Sequence, residues 1–390
     1  RRQRQMCIRD RYGTEAIDAF VYDDSGQLYI SWKAYGLDKR PIELLGCKLS
    51  IDGLRLEGEP FSLLVDSEDQ GMEGQCHFKH GDYYYIIYSA HGCCGPGSDY
   101  DVYVARSKNY CGPYEKYRGN PILHGGEGDY MSCGHGTIAM TPDGRMFYMC
   151  HAYLNGAGFY TGRQPILQEL EMTDDHWIRF KTGHLAVAKQ HVPFAGTRQE
   201  PLLDFEDNFQ GNKLKVEWNW NYPYSDIDAV VKKGQLSLSG ILKRGGEHGT
   251  ALCLRSQSPD YTCETKVVNA NQSLKGLTLY GDDKNHVVWG TSGDKLLLKV
   301  VKDNVESVLY ETVYPDKEIY LKTEVERGYI FHFFWSKDGK TWNFVNNTSS
   351  EGNDLIRWDR VQRPGLLHNG AKNSPAEFAY FKMRIKKRTL

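Results

Sequence analysis

The sequence predicts an all-β protein in which a partial β-propeller is followed by a β-sandwich. Three successive segments repeat one hairpin plan, with turn glycines at Gly26, Gly81 and Gly144 that lie 55 and 63 residues apart. Small antiparallel sheets repeated at such a period are typical of propeller blades. Beyond Pro201, short alternating strands recur about every ten residues between Gly, Asp and Asn turns, which indicates a sandwich. Long helical periodicity is absent from the sequence.

The composition places the chain among ordinary globular proteins. Its 390 residues suffice for two domains with sizeable cores. Hydrophobic residues make up 40% and charged residues 25%, and the formal net charge is -2. Such a balance predicts neither a nucleic-acid partner nor an anionic membrane partner. Since no apolar run approaches the ~20 residues of a membrane span, no membrane partner is expected.

The pattern of the chain predicts four segments. Residues 1–11 read RRQRQMCIRDR, which is basic and strandless, and we interpret them as a non-native, adapter-like sequence rather than a natural basic arm. Residues 12–190 form the predicted propeller. Residues 191–202 contain Pro and Gly without periodicity and are predicted to be a linker. Residues 203–390 form the predicted sandwich.

A polar residue stands at the entry of each repeat. Asp18 and Glu73 each lie eight residues before the turn glycine, and His135 lies nine residues before it. Because the innermost strands of a propeller start around one axis, these three side chains are expected to share a pocket. Two carboxylates in one pocket are the minimum for acid/base work on a glycosidic bond. Gly74, which follows Glu73, is expected to let a ligand approach the backbone.

Each candidate also has a structural reading. Asp18 alone is commonly a turn or cap residue, and His135 alone is commonly a hydrogen-bonded core residue. Trp32 is a candidate for stacking on substrate, with core packing as its alternative, and Arg163 has a surface ion pair as its alternative. The adjacent pair Cys93-Cys94 is read as two free thiols, with a vicinal disulfide as the alternative.

The motifs around these residues resemble those of glycoside hydrolase family 43. Ala16-Ile17-Asp18-Ala19-Phe20 resembles the family's "IDP" strand, with Ala19 in place of the usual Pro. Glu73-Gly74 before the aromatic strand at 83–88 resembles its "EGP" blade, with a Gln in place of the Pro. Gly134-His135-Gly136 resembles its "GHG" motif.

The resemblance implies a role for each site residue. Glu73 corresponds to the general acid, and Asp18 to the carboxylate that tunes the pKa of the acid and orients it. His135 corresponds to a histidine on the propeller axis, beside a bound calcium ion or its water, so calcium is the expected cofactor and His135 its expected contact. Arg163 corresponds to the arginine that reaches the sugar, and His135 and Trp32 are expected to bind the substrate together with it.

The same resemblance implies more of the architecture than the repeats alone. The family propeller has five blades, so the repeats found here correspond to its last three. The sandwich resembles the concanavalin-like C-terminal domain of family 43 β-xylosidases, through Asp204–Gly211, Gly276–Tyr280 and Trp335–Trp342. The family takes its general base, an Asp, from the first blade. Two blades and the base are therefore expected upstream, and this chain is expected to be an inactive fragment.

The sequence thus predicts an inverting glycosidase that cleaves xylosidic or arabinosidic bonds of plant cell-wall pentosans. The expected partners are xylo-oligosaccharides or arabinose-substituted polysaccharides. The alternative is a carbohydrate-binding propeller and sandwich without catalysis. The presence of both carboxylates favours the enzyme.

Overall fold

The computed structural model describes residues 15–190 and 204–386, apart from residues 38, 127, 346–354, 357 and 359. Residues 1–11 and the predicted linker at 191–202 lie outside the described residues. Contacts between the described residues divide them into two compact units. The first unit holds residues 15–155 and 163–190, and the second holds residues 156–162 and 204–386. No helix within these ranges is long and apolar enough to cross a membrane.

The first unit consists of three antiparallel sheets of four strands each, in chain order. The first sheet contains β1 (Ala16–Asp24), β2 (Gln27–Ala34), β3 (Glu43–Leu49) and β4 (Leu56–Val65). The second contains β5 (Glu73–His80), β6 (Tyr83–Ala90), β7 (Asp101–Ser107) and β8 (Glu115–Lys116). The third contains β9 (Tyr130–Met140), β10 (Met146–Leu154), β11 (Gln164–Met172) and β12 (Ile178–Phe180). Each repeat therefore holds one strand more than the three that its pattern predicted.

Apolar side chains pack between neighbouring sheets of the first unit. Tyr85 and Val104 of the second sheet pack with Tyr148 and Ile166 of the third in one buried cluster. Another buried cluster joins the first sheet to the second. The all-β, propeller-like prediction is confirmed, whereas the count of three blades out of five stays a prediction.

The second unit is a sandwich of two antiparallel sheets, preceded in the chain by the 3-10 helix Gly156–Thr161. One sheet contains β13 (Phe205–Asp207), β15 (Ser225–Lys232), β16 (Gln235–Leu242), β18 (Tyr261–Val267), β23 (Ile319–Glu326), β24 (Ile330–Ser336), β25 (Asn343–Phe344) and β27 (Ala376–Ile385). The other contains β14 (Asn219–Trp220), β17 (Thr250–Cys253), β19 (Leu274–Asp282), β20 (Asn285–Ser292), β21 (Lys295–Lys302), β22 (Val305–Val313) and β26 (Arg363–Asn369).

One large apolar core lies between the sheets of the sandwich. Strand β23 alternates strictly between buried and half-buried residues, as expected for a sheet with one face on a core. Leu321 and Phe381 from one sheet meet Leu277 and Trp289 from the other in a single buried cluster. The indole Nε1 of Trp289 donates a hydrogen bond to the carbonyl oxygen of Phe334 across the core, at 2.8 Å. The sandwich prediction is confirmed.

We expect residues 203–390 to fold when expressed alone, because the described part of this segment holds a complete core. The isolated segment should elute as a soluble species and unfold in one sharp thermal transition. Phe381→Ala should lower the stability by roughly 3–5 kcal/mol, since it opens a cavity in the core. Val305→Ala, at a site with 66% exposure, should leave the melting temperature nearly unchanged. Aggregation of the unsubstituted segment would contradict the expectation.

Candidate active site

The first strand of each sheet in the first unit carries a two-residue irregularity at the same place. Pairing shifts at residues 18–19 of β1, at 74–75 of β5 and at 135–136 of β9. The first residue of each bulge has a positive φ, which is 58° at Asp18, 62° at Gly74 and 51° at His135. Asp and His adopt such backbone angles at a cost, and strain of this kind clusters at functional sites.

The three bulges meet at one point. Oxygen or nitrogen ligand atoms of Asp18, Glu73 and His135 all lie within 4.8 Å of one another. The Gly74 N–H donates to Oδ2 of Asp18 at 3.1 Å, and Nδ1 of His135 lies 4.0 Å from the same oxygen. Ser89 Oγ accepts a hydrogen bond from the backbone N–H of His135 at 2.8 Å. The structure thus brings together the three residues that stood about sixty positions apart in the sequence.

Gly74 is needed for a reason other than the predicted one. A Cβ at this position would lie 2.9 Å from Cγ of His135 and 3.1 Å from its Cα. It is therefore the neighbouring histidine that approaches the backbone here, and the predicted approach of a ligand is not what the structure shows. The positive φ disfavours any side chain at this position as well.

The structure and the sequence spacing also differ in which residue of the second repeat corresponds to Asp18 and His135. The structural counterpart of Asp18 and His135 is Gly74, and Glu73 stands one residue earlier. The turn glycine caused the difference, because Gly26 is the second residue of its hairpin turn whereas Gly81 is the first. Counting back from the glycine therefore moved the comparison by one position.

Glu73 lies in a polar environment with little exposure. Its side chain is 17% exposed. The hydroxyl of Tyr100 donates a hydrogen bond to Oε1 of Glu73 at 2.9 Å, and Nζ of Lys33 lies 3.3 Å from Oε2. Burial raises the pKa of Tyr100 well above its usual range, with the neighbouring Glu73 charge as the second cause, so the phenol stays a proton donor at neutral pH.

The surroundings of Asp18 raise its pKa above the usual value. Burial raises the pKa of Asp18 and the charge of Glu73 adds to this, while His135 acts in the opposite direction. Gln75, which replaces a family proline, donates its side-chain amide to the backbone oxygen of Asp18 at 2.6 Å. The departure from the family motif thus supplies a hydrogen bond to the bulge that presents Asp18.

A cavity of about 430 Å³ adjoins these residues, and Asp18, His135 and Arg163 are in its wall. Glu73 is not among the lining residues and lies next to them. Nη1 of Arg163 is 3.3 Å from Nε2 of His151, which is also in the wall. Burial, then Arg163 and His135, lower the pKa of His151 to about 3, so this imidazole is neutral at ordinary pH. The neutral ring can accept a hydrogen bond at Nε2 from the guanidinium of Arg163 and adds no positive charge beside it.

The predicted substrate-binding role of Trp32 is wrong. Its side chain is 0% exposed and belongs to a buried cluster of the first sheet, with Ile30 and Leu45. A ring without an accessible face offers no surface on which a sugar could stack. Alternation along β2 explains the placement, because Trp32 and Lys33 point to opposite faces of the sheet.

The donor set fits calcium poorly. Calcium takes six to eight oxygen ligands, whereas the described cluster offers two carboxylates and one imidazole nitrogen. Glu73 and Asp18 already accept hydrogen bonds from Tyr100 and Gly74. We therefore assign no metal ligand to this cluster.

Cys93 and Cys94 form a vicinal disulfide, so the interpretation as two free thiols is wrong. The loop that contains them lies between β6 and β7. Arg163 Nη1 approaches Sγ of Cys94 at 3.8 Å, which places the disulfide next to the wall of the cavity.

Sequence reasoning missed Lys33 and Tyr100, which hold Glu73. A signal for Lys33 was present, because a lysine at the end of the apolar strand Tyr29–Ala34 is unusual for a sheet covered on both faces. Tyr100 lies in an irregular segment before β7, and no pattern in the sequence distinguished it from the other 25 tyrosines.

Comparison with known proteins gives two matches along the chain. Residues 4–178 match glycosyl hydrolases family 43, and residues 206–362 match the beta xylosidase C-terminal Concanavalin A-like domain. Over residues 4–178 the chain therefore resembles glycosyl hydrolases family 43. Among solved structures similar to this chain is the xylan beta-1,4-xylosidase from Bacillus Halodurans, with a TM-score of 0.77 and 22% identity. The match covers 94% of this chain and 76% of that chain. At such identity the likeness concerns the fold alone.

Two curated relatives of this chain carry different activities in their names. A non-reducing end alpha-L-arabinofuranosidase from Bacteroides ovatus is 25% identical over 80% of this chain and 62% of its own length. A xylan 1,3-beta-xylosidase from Vibrio sp is 27% identical over 87% of this chain and 70% of its own length. The chain thus spans less than two thirds of the first of these relatives.

Proposed function

We propose that this chain supplies the acid side of a glycosidase site for xylosidic or arabinosidic bonds of plant cell-wall pentosans. The observation that carries the proposal is the meeting of Asp18, Glu73 and His135 beside a cavity that contains Arg163. Glu73 is the proposed general acid that protonates the leaving oxygen. Arg163 is the proposed hydrogen-bond donor to the sugar.

Asp18 is proposed as the partner of the acid rather than as the general base. An inverting enzyme places its acid and base roughly 6.5–9.5 Å apart, so that a water molecule fits between them. Asp18 and Glu73 offer oxygens within 4.8 Å of each other, which leaves no such space. Asp18 instead raises the tendency of its neighbour to hold a proton and accepts the Gly74 N–H that fixes the bulge. The expected base is a further carboxylate, and the described cluster contains none.

The proposed substrates follow from the relatives and from the hydrogen-bond donors of Arg163. The named relatives act on arabinofuranosides and on xylan, and the proposed substrates are xylo-oligosaccharides and arabinose-substituted polysaccharides. Arg163 carries N–H donors that can form hydrogen bonds with sugar hydroxyls.

Turnover of aryl glycosides by the 390-residue chain tests the proposal. We expect little hydrolysis of nitrophenyl β-D-xyloside or α-L-arabinofuranoside in buffer, and turnover when sodium azide is added. Azide needs no base to deprotonate it: it bonds to the anomeric carbon, the carbon–oxygen bond breaks, and the aryl oxide leaves. NMR of the product should show a glycosyl azide of inverted configuration. A retained configuration would contradict the proposal and assign Asp18 as a nucleophile, because retaining carboxylates stand about 5–5.5 Å apart.

Measurements of sugar binding, together with the turnover assay, distinguish a glycosidase from a carbohydrate-binding protein without catalysis. Calorimetric titration with xylobiose and arabinobiose should show binding that is weakened at least tenfold in Arg163→Ala, since one anchoring donor is lost. Arg179→Ala, which removes an exposed arginine of the same unit, should bind normally. Binding without turnover under either condition would favour a carbohydrate-binding protein without catalysis.

A further inference from the structure

A three-residue charge array lies beneath the proposed acid. Lys33, on β2, is 7% exposed and lies between two carboxylates. Its Nζ is 3.0 Å from Oε1 of Glu15 and 3.3 Å from Oε2 of Glu73. The carboxylates of Glu15 and Glu73 are 18% and 17% exposed, so solvent screens this array only in part.

We propose that Glu15 and Lys33 are positioning residues that set the protonation of Glu73, with Glu15 holding the charge of Lys33 so that Glu73 can carry a proton. The inference rests on the proposed function of Glu73 as the general acid. Neither residue was singled out from the sequence as a site residue.

A general acid must carry a proton that it can give to the leaving oxygen. Lys33 alone beside Glu73 would favour the ionised carboxylate, and the hydroxyl of Tyr100 on the other oxygen acts in the same direction. An ionised Glu73 has no proton for the leaving oxygen. A second carboxylate that pairs with the same ammonium group weakens the stabilisation of ionised Glu73 by Lys33. Glu15 is in that position, and its Oε1 is 0.3 Å closer to Nζ of Lys33 than Oε2 of Glu73 is.

Two further titratable groups of the described residues, Asp18 and His135, lie close to Glu73 on the bulges. Asp18 on β1 disfavours the ionised form of Glu73, and His135 on β9 favours it when the ring is protonated. Burial lowers the pKa of Lys33, but the bond to Glu15 and the charge of Glu73 outweigh it and raise the pKa above its usual value. Lys33 therefore keeps its charge over the whole pH range of the proposed reaction.

Two substitutions should move the protonation of Glu73 in opposite directions. Glu15→Gln leaves Lys33 with Glu73 as its remaining carboxylate, so the pH of half-protonation should fall by roughly one unit. Lys33→Gln removes the cation and should raise this pH by about as much. The double variant removes one charge of each sign and should return close to the unsubstituted chain, as should Glu15→Asp, which keeps the charge.

Carbon-13 NMR of the whole chain, labelled at the glutamate carboxyl carbon, measures this protonation directly. Glu73→Gln identifies the Glu73 signal, and Glu171→Gln, which breaks an exposed ion pair with Arg179, is the matched control without effect. Near-ultraviolet circular dichroism verifies folding. If Glu15→Gln does not fold, Lys33→Gln and Glu15→Asp still carry the comparison.

Unchanged midpoints in both single variants, or shifts in the same direction, would overturn the inference. The NMR readout requires no turnover, so it is independent of the azide assay. Opposite shifts without turnover would refute the proposed function and leave the charge array established. Turnover without the shifts would refute the array alone.

Discussion

Glu73→Gln is expected to lower the azide-supported turnover of xylobiose by roughly 10²–10⁴-fold, the usual contribution of a general acid. The sugar leaving group of xylobiose is a poor one, since its oxygen must be protonated as the glycosidic bond breaks. Glutamine keeps the size of the side chain and can still accept from Tyr100, but it has no proton of the right acidity. The rate of product formation at saturating azide measures the effect.

The leaving group supplies the control for this prediction. The dinitrophenolate of a dinitrophenyl xyloside leaves without being protonated, so Glu73→Gln should slow the turnover of this substrate by less than about tenfold. Glu171→Gln should leave both substrates unaffected. An equal loss on the two substrates would mean that Glu73 acts in binding or folding and does not donate the proton.

Acid should destabilise the first unit through His77, a second effect of large size. His77 on β5 is 6% exposed and is surrounded by aromatic rings, among them Phe20 and Tyr110. Nε2 contacts Ser31 Oγ at 2.7 Å, and Nδ1 has no hydrogen-bond partner among the described residues. Burial lowers the pKa of His77 from 6.5 to about 3. The folded protein therefore holds this ring neutral at a pH where the unfolded chain protonates it.

The sign of the pH dependence follows directly. Above pH 6.5 this ring is neutral in both the folded and the unfolded protein, so it does not make the stability depend on pH. As the pH falls from 6.5 toward 3, the unfolded state gains a proton that the folded state lacks. The free energy of unfolding should decrease over this window by an amount on the order of 4 kcal/mol. Urea unfolding at a series of pH values measures the decrease.

His77→Gln should flatten this dependence, because glutamine does not titrate and can still bond Ser31. The exposed His80 lies on the same strand, and His80→Gln should keep the slope of the unsubstituted chain. His151 and His286 also have pKa values that burial lowers, so a smaller slope should remain in His77→Gln. Equal slopes in His77→Gln and the unsubstituted chain would refute the assignment.

The sequence by itself determined the all-β class, the repeat and the sandwich. Hairpin turns and alternation are local properties, because a strand with one face on a core shows its two-residue period wherever it stands. The motifs around Asp18, Glu73 and His135 were likewise short and contiguous. They identified these three residues from stretches of a few residues each.

Tertiary structure decided everything that depends on which strands become neighbours. The bulges at Asp18, Gly74 and His135 depend on cross-strand pairing, and the equivalence of Gly74 rather than Glu73 became visible only in that pairing. Burial excluded Trp32 as a substrate-binding residue. An aromatic residue on a strand can belong to a core or can present its ring to a sugar, and only its position in the fold distinguishes these two roles.

The charge array gives the clearest case of this limit. Glu15, Lys33 and Glu73 are separated by 18 and 40 residues in the chain. The pair of Glu15 with Lys33 forms because β1 is hydrogen-bonded to β2, and the pair of Lys33 with Glu73 forms because β2 lies beside β5. The electrostatic interaction between charges depends on their distance and on the surrounding solvent, and neither is encoded in sequence separation. The sequence therefore named the carboxylate that is proposed to donate the proton, and the fold alone decided which charged groups lie beside it.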